Sequence, residues 1–203
     1  MTASTPSIQS PWVTHLTDNL LLSSIIFTAF HVLMWLGEIT QPDDPRRCSL
    51  CKVMLRHTVA LTLTTFLFHL PSHKTDHFYH GSTIVVKARV PLLDPHCHFI
   101  QYLTHRDSCF VFHPQLWLHV NGHMPTYSWV IQQLKLMLSD NMAGHSLCSG
   151  RATALALASV RLPNDRIQVC GHWSSDAYCS YIRKHPVMLQ ALLHGQSAFD
   201  NHN

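Results

Sequence analysis

Leu20 to Gly37 is a run of 18 residues without a charge, including Leu20, Leu21, Leu22, Ile25, Ile26, Phe27, Phe30, Val32, Leu33, Met34, Trp35 and Leu36. A helix apolar on every side belongs inside a domain or a bilayer. Ser23, Ser24, Thr28 and His31 dilute the run, Asp18 and Glu38 bracket it, and no basic cluster sets an orientation. A buried core helix is therefore expected in preference to a membrane span. Thr17 or Asp18 is placed to cap it and Gly37 to end it. The Ser-, Thr- and Pro-rich residues 1–16 read as a flexible tail.

Gln41 to Arg47, with two prolines and two aspartates, reads as a loop. Val59 to Leu70 is β-branched and aromatic, with partial alternation at Leu61, Leu63, Thr65 and Leu67, and stops at Pro71. Thr83 to Val86 is again β-branched, so 59–87 predicts an antiparallel pair with Lys74 in its connection. Asp94-Pro95 is a cap followed by proline at the first helical position, opening a helix through Thr104. Asn121-Gly122 marks a turn, and Pro125-Thr126 opens a helix with Trp129, Val130, Leu134 and Leu138 as its apolar positions. Further helices are expected over His145–Val160, Pro163–Cys170, from Ser174 or Ser175 through Tyr181, and from Pro186 to a stop at Gly195. The fold class this implies is α+β, mainly helical, with one small antiparallel sheet.

A chain of 203 residues, 46% hydrophobic, has the material for one domain with a real core. Charged residues make up 12%, which excludes a highly charged disordered chain. The net charge of +3 permits a polyanionic partner without requiring one. Seven cysteines, an odd number in a chain of this length, favour reduced thiols over a secreted disulfide scaffold. Residues 1–45 contain no Lys or Arg, so no export or transit signal is expected and an intracellular location is.

Few metal or nucleotide motifs survive inspection. Cys48 and Cys51 form one Cys-x-x-Cys, and His96, Cys97 and His98 stand in a row, yet a structural zinc site usually needs two such pairs. No metal and no other cofactor is expected. Neither Gly-x-x-x-x-Gly-Lys-Ser/Thr nor Gly-x-Gly-x-x-Gly occurs, so no nucleotide is expected, and Gly-x-Ser-x-Gly is absent.

The informative stretch is Gly144-His145-Ser146-Leu147-Cys148, then Arg151-Ala152-Thr153-Ala154-Leu155-Ala156-Leu157-Ala158, then Gly171-His172-Trp173-Ser174-Ser175-Asp176-Ala177-Tyr178-Cys179-Ser180-Tyr181. This resembles the catalytic domain of tyrosine recombinases (phage integrase-like), especially the forms in fungal mobile elements. The family has a His-x-x-Arg box opening an alanine-rich helix, then Gly-His or Gly-Arg, then a tyrosine nine residues beyond that second histidine. Tyr181 is nine residues beyond His172. Upstream, Lys74-Thr75-Asp76 looks like the family's β-hairpin lysine, and Leu36-Gly37-Glu38-Ile39-Thr40 looks like its Arg-Leu-Gly-Glu-Leu-Thr box. The resemblance covers roughly residues 20–195, and the corresponding domain is expected over 17–200, without the N-terminal DNA-clamping domain usual in the family.

The resemblance implies that Tyr181 attacks a DNA phosphate to form a 3′-phosphotyrosyl link. It further implies that Lys74 protonates the leaving 5′-oxygen, His145 acts as general acid/base or phosphate ligand, and His172 donates to the phosphate. Both expected arginines are substituted, by Trp35 and Cys148. A bidentate, permanently charged guanidinium matches the charge on the non-bridging oxygens, and neither indole nor thiol does. Arg151, one helical turn beyond Cys148, is a possible compensating residue; nothing in 1–45 compensates for Trp35. Impaired catalysis is expected.

DNA is the implied partner, met through phosphate contacts from Lys74, Lys87, Arg89, Arg151, Arg166, Arg183 and Lys184. The Pro186–His194 helix, which resembles the segment that packs on a neighbouring subunit, implies homo-oligomers on DNA. A nuclear location follows if the source is a eukaryotic mobile element. Two other readings stay open: a non-catalytic DNA-binding module, and a protein anchored to a membrane by residues 20–37. Residue by residue, Tyr181 is equally an ordinary packed tyrosine, Trp35 a core filler and Cys148 an inert thiol.

Overall fold

Helix α1 spans Pro11–Val32 in the computed structural model, which describes residues 11–72, 80–89, 94–138, 140, 141, 143, 144, 147 and 150. It already runs through Thr17 and Asp18, either of which was expected to cap it. The expected tail is thus helical from Pro11. Thr17 is buried, and Asp18 is spent on a tertiary contact: its Oδ1 accepts from the Val120 N–H at 3.3 Å and lies 3.0 Å from His119 Nδ1. Leu21, Leu22, Ile25 and Ala29 are buried, together with Ser24 and Thr28, as an interior helix requires. Among the described residues no helix is long and apolar enough to cross a membrane.

α1 also ends before Gly37. Leu33 takes the left-handed conformation, φ 58°, and the Met34 N–H donates back to Ala29 O at 3.0 Å, closing the helix in the six-to-one bond of a Schellman motif. A leucine carries a steric cost there that glycine would not. Burial offsets it, because Leu33 is 1% exposed and Met34 3%. A short helix, α2 (Leu36–Ile39), follows with Leu36 and Ile39 buried.

The sheet has three antiparallel strands in the order β1 (Ala60–Leu61), β2 (Thr65–Leu70) and β3 (Ser82–Lys87). The antiparallel pairing expected over 59–87 is present, but the single strand expected over 59–70 is broken. The Thr62 hydroxyl accepts from the Thr65 N–H at 2.9 Å, and Thr62 N–H donates to Thr65 O at 2.8 Å, which folds a corner between β1 and β2. The inward face is also the opposite of the leucine alternation. Leu63 is 97% exposed, whereas Phe66, Phe68 and Leu70 are buried. Pairing of Phe66 with Val86 and Phe68 with Ile84 completes that face.

α3 (Pro95–Cys109) starts where Asp94-Pro95 predicts, with the Asp94 side chain accepting from the His96 N–H, and runs past Thr104. α4 (Tyr127–Met137) is capped by Thr126, whose side chain accepts from the Trp129 N–H. Val130 and Leu134 are buried, but Leu138, expected on the same face, is exposed at the helix end. The core forms where α1 and α3 pack together and against the sheet. Phe66 stacks on Phe99 at a centroid separation of 3.9 Å, and Trp117 meets Phe99 edge-on. Tyr102, buried beside them, donates its hydroxyl to Leu116 O and accepts from the Leu118 N–H. Burial pushes its phenol well above the ordinary range. Of the helix expected over His145–Val160, Leu147 and Gly150 are described and helical, and the later expected helices, over Pro163–Cys170, from Ser174 or Ser175 through Tyr181, and from Pro186 to Gly195, lie outside the described residues.

Candidate functional site

Trp35 sits at the junction of α1 and α2, turned there by the left-handed Leu33. Its backbone N–H donates to Glu38 Oε2 at 3.0 Å, while the Glu38 N–H donates to Trp35 O at 2.9 Å. This reciprocal closure of the first turn gives Glu38 a structural role. Gly37 is exposed with nothing near the place a Cβ would occupy. Thr40 bonds its hydroxyl to Leu36 O at 2.7 Å. The Leu36-Gly37-Glu38-Ile39-Thr40 box is therefore a self-capped helical turn pinned by its two apolar residues.

Lys74 belongs to the connection between β2 and β3 and lies outside the described residues, as do His145, Cys148, Arg151, His172 and Tyr181. So does the Pro186–His194 segment. Of the 144–150 stretch, Gly144, Leu147 and Gly150 are described. Gly144 is buried, and a Cβ there would come within 2.1 Å of the Tyr127 hydroxyl on α4. Leu147 joins the hydrophobic core, and Gly150 faces Phe30 of α1 at ordinary contact distance. Gly144 thus abuts α4 and Gly150 abuts the half of α1 that leads to Trp35.

The loop after α2 is tied to the start of α4. Gln41 N–H donates to Pro125 O and Tyr127 N–H to Gln41 O, both at 2.9 Å. Asp43 accepts from the Ser128 N–H at 3.2 Å and from the Ser128 hydroxyl, which holds its carboxyl below the ordinary value. The expected 41–47 loop ends in a 3-10 turn, Pro45–Arg47, with Asp44 accepting from the Arg46 N–H and pairing with its guanidinium at 3.0 Å. Those bonds lower the Asp44 carboxyl in turn.

Among the phosphate contacts expected from sequence, Lys87 and Arg89 are described, and both are exposed. The sequence reading passed over Arg46, Arg47 and Lys52, exposed on the 3-10 turns before the sheet. No local sequence pattern marks the ion-pair arrangement at Arg106. Arg106 on α3 is 1% exposed and donates to Asp107 Oδ1 at 2.7 Å, Phe110 O at 3.1 Å, Gln115 O at 2.6 Å and His113 O. Asp107 receives a second, forked guanidinium from Arg56, with contacts from 2.7 to 3.1 Å. Partial burial would raise the Asp107 carboxyl, but the Arg56 and Arg106 bonds outweigh it and leave it below the ordinary value.

No cluster of three or more His, Cys, Asp or Glu able to hold a metal occurs among the described residues. Cys48, Cys51, Cys97 and Cys109 are exposed free thiols. The described structure defines an α+β protein with helices around a three-stranded antiparallel sheet. Compared with known proteins, the chain matches no protein-family model, no curated protein and no solved structure.

Proposed function

We propose that the chain is a tyrosine recombinase-like protein of DNA recombination and integration, impaired in strand cleavage. One observation carries this reading: the joint spacing of Lys74, His145-x-x-Cys148, Gly171-His172 and Tyr181. The order of elements supports it. A self-capped turn carries the Leu-Gly-Glu box, a β-hairpin brackets Lys74 in sequence, and helices follow.

In this reading the Tyr181 oxygen attacks the phosphorus and the 5′-oxygen leaves with a proton from Lys74. Tyr181 thereby becomes linked to the 3′-phosphate. His145 and His172 donate to the non-bridging oxygens and manage the tyrosine proton. The bond energy of the phosphodiester is retained in the phosphotyrosine, so rejoining is the same step reversed. Trp35 and Cys148 supply no charge to the transition state. A positioned arginine is worth about 10³ to 10⁵ in rate in nucleotide hydrolases, so two losses remove much of the catalysis, with non-additive terms. Half-buried Trp35, engaged through its backbone in the Glu38 turn, favours a second reading in which DNA binding persists without cleavage.

Covalent trapping tests the proposal. With a nicked suicide duplex the protein is expected to form a slow protein–DNA adduct that Tyr181→Phe abolishes. Adduct formation at the rate of an intact recombinase sinks the impairment. An adduct that persists in Tyr181→Phe sinks the assignment of the nucleophile.

A further inference from the structure

The chain between α3 and α4 holds an exposed apolar tip on a rigid base. Phe112 is 96% exposed and Val111 70%, among the most exposed large apolar side chains described. The backbone beneath them is fixed from below by buried Arg106, which gathers the carbonyls of Phe110, His113 and Gln115. The neighbouring segment locks it from the side, with the Arg56 N–H donating to Pro114 O at 2.7 Å and Leu55 bridging Gln115. A tip so held pays little ordering entropy when something receives it.

Its electrostatic setting is cationic. Two guanidiniums, Arg56 and Arg106, share the single carboxylate of Asp107, which leaves a net positive charge at the base of the tip. Residues 45–58, which end in the segment bonded to the loop, contain Arg46, Arg47, Lys52 and Arg56; Arg46 is paired with Asp44 just before them, and Arg47 and Lys52 are exposed. Apolar side chains projecting from a basic surround are the composition with which proteins wedge into stacked base pairs, since phosphates meet the cations while the ring enters between bases. A second copy of the same surface would bring like charge against like charge.

We propose that Val111 and Phe112 form a wedge that enters double-stranded DNA between base steps, with the net-positive Arg56–Asp107–Arg106 base on the adjoining phosphates. The wedge rests on the reading of the chain as a DNA-binding protein and adds to it a surface remote in sequence from the recombinase-like motifs.

The experiment uses the full chain and short duplexes with 2-aminopurine at a flexible TA step, at low salt. Binding is followed by anisotropy and unstacking by the rise in 2-aminopurine fluorescence. Phe112→Ser changes a side chain that packs against little, so its far-UV spectrum and melting temperature should match the parent. The expected result is a fluorescence rise with the parent that is lost in Phe112→Ser, with affinity falling about tenfold. The salt slope should stay unchanged, because no phosphate contact has been removed. Binding with equal affinity and equal unstacking by Phe112→Ser overturns the wedge and leaves DNA binding standing, as does parental binding without unstacking. No binding by the parent at low salt overturns the DNA reading and the wedge with it. Concentration-dependent self-association that Phe112→Ser abolishes overturns the wedge in favour of a contact between copies.

Discussion

Two residues show how strongly backbone conformation is tied to its surroundings. Leu33 adopts a left-handed conformation that leucine rarely takes, and near-complete burial holds it there. Gly81, entering β3, has φ +67°, and a Cβ there would lie 2.6 Å from both Leu70 O and the His69 ring. Gly81→Ala is expected to cost about 1–3 kcal/mol through strain and clash, lowering the melting temperature by roughly 2–4 °C per kcal/mol. Calorimetry checks this. Asp107 supplies a pH-dependent prediction. Its carboxyl is held low in the folded state, so its contribution to stability is complete above the ordinary value of 3.8 and is lost as pH falls through the folded value. Asp107→Asn should cost about 1–2 kcal/mol at neutral pH, less than a fully buried pair because 36% of the side chain faces solvent. Urea midpoints compared at neutral pH and near pH 3 should show the variant losing less than the parent on acidification.

At the scale of elements, the parity of β2 is the sharpest result. Leu63 and Phe66 belong to one apolar stretch, but a corner built by Thr62 and the preference of aromatic rings for one another assign them opposite fates. Phe66→Ala should cost about 3–5 kcal/mol, since it empties a site stacked on Phe99 and paired with Val86. Leu63→Ala should fall within about 0.5 kcal/mol of the parent. Equal losses in the two variants, read from chemical denaturation, would contradict the register. The cap of α3 was legible because Asp94 acts on an N–H group two residues away, and the start of α4 was legible at Pro125-Thr126, although its Thr126 cap came only with the structure. The ends of α1 were not, because a buried leucine replaced glycine at one end and a tertiary contact claimed Asp18 at the other.

For the whole molecule, the functional reading predicts a particular salt response. Phosphate contacts dominate non-specific binding, so affinity for duplex DNA should fall steeply between about 50 and 200 mM salt, with a log–log slope near −0.9 per phosphate neutralised. Replacing exposed Lys52 with glutamine should lower that slope by about 1 if its ammonium meets a phosphate. Anisotropy titrations decide the matter, and absence of binding at the lower salt would remove DNA as the partner. The Leu36–Thr40 box lies wholly within the described residues, where Glu38 and Thr40 have structural roles.

The amino-acid pattern alone determined what depends on near neighbours: the burial of α1, the antiparallel hairpin, the Asp94-Pro95 cap, the helix opened at Pro125-Thr126, and the Asn121-Gly122 turn, where Gly122 takes φ +80°. Tertiary structure decided what depends on residues far apart. Asp18 reaches His119, Asp43 reaches Ser128, Arg56 and Arg106 close on Asp107, and the inner face of β2 is chosen by Phe99 on α3. Local periodicity and capping act within a turn or two, so they are written into adjacent residues. Ion pairs and aromatic stacking arise only once the chain has folded back on itself, and no window along the sequence contains both partners.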